Sequence, residues 1–142
     1  MYSVKYTIDG FSKIKKFLRL SFAKEFCKNK QNAMLFLEKP LYQGWIHKKG
    51  QYNKSRKLRF IVLTKTRLIY YDVKEDTSLI ECGYIELLYI KNISQYENKI
   101  SKFTFVYEKR EYDFKVHNDS SDTLVSMIIN AKKEFYNHVY HR

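Results

Sequence analysis

Glycine and proline are scarce in this chain, with four and one among 142 residues, so few positions loosen the backbone and no linker or low-complexity tract interrupts it. Cysteine is limited to Cys27 and Cys82, too few for a disulfide framework, and neither has a second Cys or a His at metal-ligand spacing. That pattern predicts a reducing, cytosolic setting with no metal and no other cofactor. No apolar run reaches the roughly eighteen residues that a membrane span needs. The start Met1-Tyr2-Ser3 lacks a signal-peptide pattern and the second-position glycine of myristoylation, so any membrane contact is expected to be peripheral. One further absence is local: residues 41–71 contain no acid.

What is present is aromatic and basic. Thirteen Tyr and ten Phe dominate an aromatic fraction of 17%, and the 44% hydrophobic content suffices for one core. The expected organisation is an N-terminal extension over residues 1–39 and one domain over 40–142. The net charge of +12 is unevenly spread. Residues 1–40 hold nine Lys or Arg against three acids, residues 41–71 hold eight against none, and residues 72–142 hold ten against twelve. A uniform lysine bias would not leave such a stretch free of acids. A localised positive surface facing a polyanion explains the pattern better.

Phe11, Ile14, Phe17, Leu18, Phe22 and Phe26 recur at helical spacing among lysines and Arg19, which predicts a basic amphipathic helix from Phe11 to about Asn29. Such a helix either docks on the domain or lies on lipid. The run Ala33 to Leu37 extends it or forms a second short helix, and Pro40 ends the segment. Seven short β-like runs follow: Leu41 to Lys48, Leu58 to Thr64, Leu68 to Val73, Leu79 to Leu87, Ile90 to Tyr96, Lys102 to Glu108 and Glu111 to Val116. Regularly spaced strands of this kind predict an antiparallel sandwich or barrel. Residues 118–122 offer N-cap oxygens to a closing amphipathic helix carrying Leu124, Ile128, Ala131 and Phe135.

The stretch from Gly44 to Leu63 concentrates the positive charge in one hairpin. Lys48 ends one strand and Arg59 begins its antiparallel neighbour, so the two can converge at the hairpin's mouth, with Lys49, Lys54, Arg56 and Lys57 nearby. Arg59 suits a bidentate grip on phosphate, whereas Lys48 and Lys57 act as movable point charges. The directions of Lys49, Lys54 and Arg56 stay open at this level.

This hairpin resembles the first hairpin of pleckstrin-homology domains, and is most similar to the protein kinase B type. It has the Gly44-Trp45-Ile46-His47-Lys48 opening, and then Lys57-Leu58-Arg59-Phe60-Ile61-Val62 at the spacing of the phosphoinositide-type pattern. The resemblance implies a seven-stranded antiparallel barrel or sandwich closed by a C-terminal α-helix. It implies that Lys48, Lys57 and Arg59 contact inositol phosphates, and that Tyr70 adds a phosphate hydrogen bond or packs as a core aromatic. Three departures matter. Cys82 precedes Gly83 where selective binders often carry a basic residue, Gln51 replaces an acid before Tyr52, and the closing helix lacks the usual Trp. These broaden the expected ligand from one phosphoinositide to phosphoinositides, phosphatidic acid or other anionic lipid.

No nucleophile elbow, Walker loop or HExxH motif can be read, so an enzyme is not expected. The charge would also suit nucleic acid, but the hairpin matches no nucleic-acid motif. The expected molecule is a monomeric peripheral module on the cytosolic face of a membrane. The alternative is a scaffold whose ligand is a protein.

Overall fold

The computed structural model describes residues 1–50, 55–96 and 98–140 of the chain. Among the described residues there are ten strands and two α-helices, and the chain divides into two compact units: Met1–Lys39 with Asp72–Glu81, and Pro40–Tyr71 with Cys82–Arg142.

The first unit corrects the expected N-terminal helix. Strand β1 (Tyr2–Ile8) pairs antiparallel with β2 (Phe11–Phe17), and β3 (Met34–Leu37) pairs with the other side of β1. Only Leu20–Lys28 is helical (α1). The reason lies in Asp9-Gly10, where both residues have positive φ, 50° and 81°. Two left-handed residues make a two-residue turn whose twist matches the strands it joins, so Asp-Gly nucleates a hairpin. Within β2 the apolar residues split by period two, Phe11 and Phe17 on one face and Ile14 on the other. Phe17 is buried, while Phe11 and Ile14 are 71% and 55% exposed. The apparent helical stripe therefore mixed both faces of a strand with the start of a real helix. Helix α1 lays Ala23 against Val4 and Phe17, with Phe26 edge-on to Tyr6 at 5.1 Å. No acid or side-chain cap supports its first turn, and Lys28 complements its C-terminal dipole. Packing holds this short helix more than intrinsic propensity does.

Strands β6 (Arg67–Val73) and β7 (Ser78–Glu86) run through both units. In the second unit they join β4 (Tyr42–Lys49), β5 (Arg56–Leu63), β8 (Lys91–Tyr96), β9 (Lys99–Tyr107) and β10 (Arg110–Val116). These seven correspond to the seven expected strands, and β1–β3 bring the total to ten. The order β6-β5-β4-β10-β9-β8 is antiparallel throughout. Alternation sends Ile46, Ile61, Leu63, Leu68, Phe103, Phe105, Phe114 and Val116 to one core. Helix α2 (Asp122–Tyr140) closes it with Leu124, Val125, Ile128 and Ala131. Leu124 and Ile128, essentially inaccessible, are each worth about 1.5–3 kcal/mol of burial. The N-terminus of α2 is fixed from outside the helix: Gln95 Nε2 donates to Asp122 Oδ1 at 2.7 Å, and Ser121 Oγ donates to the Ile100 carbonyl at 2.9 Å. Among the described residues no helix is long and apolar enough to cross a membrane.

Candidate functional site

The register of the β4–β5 hairpin decides where each cation points. Ile46 lies opposite Arg59, and Lys48 opposite Lys57. Residues opposite one another share a face, so Lys48, Lys57 and Arg59 lie on the side that carries Ile46 and Ile61 into the core. They form the outer end of that face, where apolar packing gives way to charge. Lys49 and Arg56 are opposite one another as well, one position out of phase, and therefore lie on the reverse face.

Strands β6 and β10 complete the inner group. The Lys48 ammonium rests 4.9 Å from the Tyr70 ring centre and 5.5 Å from that of Tyr112. Tyr112 is itself stacked on Phe105 at 5.2 Å and nearly parallel to it, so the platform under Lys48 is part of the core. Arg110, the first residue of β10, sets its guanidinium carbon 4.4 Å from the same Tyr112 ring. The site thus joins Lys48, Lys57, Arg59 and Tyr70 and adds Arg110, which sequence reasoning missed. No local motif marks Arg110. Only the pairing of β10 with β4, with Phe114 opposite Lys48, brings it there.

Glycine at 83 is required by this arrangement. A Cβ there would meet the Tyr70 hydroxyl and come within 2.6 Å of Tyr70 Cζ. Gly83 thereby leaves room for the hydroxyl end of the Tyr70 ring that carries Lys48. Cys82, beside it, is exposed and supplies no cation.

The electrostatics follow from this crowding. Burial, then the charges of Arg110 and Arg59 and, more weakly, Lys57, push the Lys48 ammonium below the ordinary lysine range. Burial and Tyr112 raise the Tyr70 phenol. Among the described residues no carboxylate pairs with Lys48, Lys57 or Arg110. Lys48 therefore bears both a desolvation penalty and like-charge repulsion, and an anion placed beside it would relieve the repulsion and supply the missing counter-charge. Arg59 Nη1 donates to the Leu58 carbonyl at 3.1 Å, which orients one edge of its guanidinium.

On the reverse face Arg56 Nη2 lies 2.9 Å from Asp113 Oδ1, each side chain about one-fifth exposed. The contact is a charge pair without hydrogen-bond alignment, since Asp113 Oδ1 and Arg56 Nη1 are buried with no hydrogen-bond partner among the described residues. Arg56 is thus already neutralised. His47 Nε2 and His117 Nδ1 approach to 2.9 Å on the same face. Partial burial, then His117, Lys115 and Arg56 hold His47 below the ordinary histidine value. Lys54, with Gln51, Tyr52 and His141, lies outside the described residues. Among the described residues no cluster of three or more His, Cys, Asp or Glu could hold a metal.

Known proteins agree with this fold. The chain is 35% identical over 69 residues to human Rho GTPase-activating protein 25, a stretch covering 49% of the chain and 11% of that protein. The chain thus spans about a tenth of that relative's length. The solution structure of a pleckstrin homology domain superposes with a TM-score of 0.59 at 20% identity, covering 72% of this chain and 93% of that one. The Slm1-PH domain in complex with inositol-4-phosphate superposes with a TM-score of 0.51 at 18% identity, covering 67% and 96%. At these identities the solved structures establish the fold alone, and they do not extend the first hairpin's likeness to the protein kinase B type beyond its own motif. Residues 40–134 match the family model described as PH domain, and the chain belongs to the PH domain family, a non-catalytic fold.

Proposed function

We propose that this PH domain is a peripheral membrane-targeting module that binds the phosphates of anionic phospholipid head groups at the outer end of the core-side face of the β4–β5 hairpin, on the cytosolic face of a membrane. In this reading residues 40–142 form the working domain and residues 1–39 its extension. One observation carries the proposal: a half-buried Lys48 ammonium, seated on Tyr70 and Tyr112, faces Arg59, Lys57 and Arg110 with no carboxylate partner among the described residues. Buried charge without a counter-ion is costly, and the missing counter-charge matches a phosphate.

Each side chain has a distinct task. Arg59 and Arg110 offer planar forks to phosphate oxygens, Lys48 neutralises the deepest phosphate, and Lys57, exposed, reaches the surrounding head groups. Tyr70 supports Lys48 with its ring and can donate its hydroxyl to phosphate. Arg110 stands in for the cation missing at Cys82, from the opposite side of the group. Lys49 adds only to the general positive field, and Arg56 is already engaged by Asp113. With the open Cys82 corner, the site accepts phosphoinositide or phosphatidic acid rather than a single inositide. The likeness of the hairpin to the protein kinase B type favours the former.

Liposome sedimentation tests this with neutral, phosphatidic-acid and phosphoinositide vesicles at two salt concentrations. Salt-sensitive binding to anionic vesicles, lost in Lys48→Ala plus Arg59→Ala, is expected. Equal retention of that double variant would remove the site from its role, and no binding to any anionic vesicle would leave a protein-scaffold function in its place.

A further inference from the structure

A second charged and apolar surface lies wholly within the first unit, away from the residues of the hairpin site in sequence. Helix α1 covers the sheet face built by Val4, Phe17 and Leu35. The opposite face is read from the register: Lys5 lies opposite Ile14 on one side and Met34 on the other, a cross-strand row through all three strands. Helix α1 does not reach that row. Ile14 is 55% and Met34 63% exposed, and Lys5 is exposed between them. At the tip of the hairpin, beside the Asp9-Gly10 turn, Phe11 is 71% exposed. Strands β1 and β2 together carry four lysines, and the turn between them the single acid Asp9.

Large apolar side chains left open on a small sheet need an occupant, and Lys5 selects it. A second copy of this face would trap two Lys5 ammonium groups among apolar side chains with no counter-charge, which costs more than the apolar burial contributes. A bilayer has no such conflict. The apolar side chains enter the acyl boundary while lysine stems extend their ammonium groups to the lipid phosphates. We propose that the outer row of the open face of the β1–β3 sheet, Lys5, Ile14 and Met34, together with Phe11 at the hairpin tip, is a second contact with an anionic lipid surface. This rests on the membrane-targeting reading of the PH domain and deepens it, because one shallow phosphate site binds weakly and stable recruitment takes a second signal.

The test uses the full chain and vesicles of phosphatidylcholine, with and without phosphatidylserine. Phe11→Trp reports insertion: the emission of the introduced indole, corrected for Trp45 by the wild-type spectrum, shifts to the blue with anionic vesicles and is quenched by brominated acyl chains. Phe11→Ser plus Ile14→Ser, both at exposed positions, lowers vesicle affinity about tenfold and leaves the circular dichroism spectrum unchanged. An unmoved emission from the Phe11→Trp variant, on vesicles that it demonstrably binds, overturns the inference. So does wild-type affinity in the double-serine variant, or self-association without lipid that the serines abolish. The two readings separate cleanly. If Lys48→Ala plus Arg59→Ala binds normally and the indole at position 11 still inserts, the phosphate site is refuted and this surface stands. Loss of binding in that double variant, with a silent indole in the chain changed only by Phe11→Trp, does the reverse.

Discussion

Replacing Gly83 with alanine tests whether Tyr70 holds the site together. The new methyl would lie 2.6 Å from Tyr70 Cζ and 3.2 Å from Cε2, with the hydroxyl closer still, so the whole outer end of a stiff ring has to move. Overpacking of this kind costs about 1–3 kcal/mol. Displacing the ring also takes away one of the two aromatic supports of Lys48, about 0.5–1 kcal/mol of cation–π attraction. With a urea m-value of about 2 kcal/mol/M for a chain of this size, the denaturation midpoint falls by roughly 1 M. Anionic-vesicle affinity falls with it, because Lys48 is no longer held toward Arg59 and Arg110. The cycle with Tyr70→Ala isolates the cause: in that background Gly83→Ala has no ring to strike and costs less than about 0.5 kcal/mol, the scatter of independent surface changes. A Gly83→Ala midpoint equal to wild type, or the same loss in both backgrounds, would refute the packing of Tyr70 against Gly83.

Arg56→Ala strands Asp113 largely buried and should cost about 1–3 kcal/mol, a fully buried pair's loss discounted for its residual exposure, while vesicle binding changes little; urea denaturation and sedimentation separate the two effects. The turn joining β9 to β10 places Glu108 and Lys109 at φ of 51° and 63°, a left-handed pair usually given to Asn-Gly, so Glu108→Asn plus Lys109→Gly should raise the thermal midpoint, with a gain of about 1–2 kcal/mol. His47 has a folded pKa held below its unfolded value. Its contribution is therefore intact above about pH 6.5 and is lost as the pH falls below it, since the unfolded chain takes up the proton first. His47→Gln should flatten the fall in stability below about pH 6.5, and an unchanged slope would contradict a His47 held below its ordinary value by burial and by its charged neighbours.

The sheet of the second unit was legible because its strands alternate cleanly and end in polar turns. Tyr112, Phe114 and Val116 display their inward face in the letters alone, and the polar run before Leu124 marks where period two gives way to a helix. The first unit was not, although its decisive signal was present. Asp9-Gly10 is a hairpin turn, and the spacing of Phe11, Ile14 and Phe17 outweighed it because a strand followed at once by a helix mimics one long helical stripe. Within the site, Lys48 and Arg59 could be placed from hairpin geometry. The separation of Lys49 and Arg56 from them depends on a register shift of one residue, which the spacing between Lys48 and Lys57 does not define. Arg110 was hidden for a different reason. It sits 62 residues beyond Lys48 in the chain, and only tertiary pairing through β10 brings the two onto one tyrosine.

Phosphate binding at the inner face of the hairpin is the central claim, and titration of the labelled protein with a soluble inositol phosphate, followed by amide and side-chain NMR shifts, examines it most directly. Movement centred on Lys48, Lys57, Arg59, Tyr70 and Arg110, with Lys49, His47 and His117 nearly still, is the predicted result. Movement confined to the reverse face, or no saturable movement at all, would contradict it.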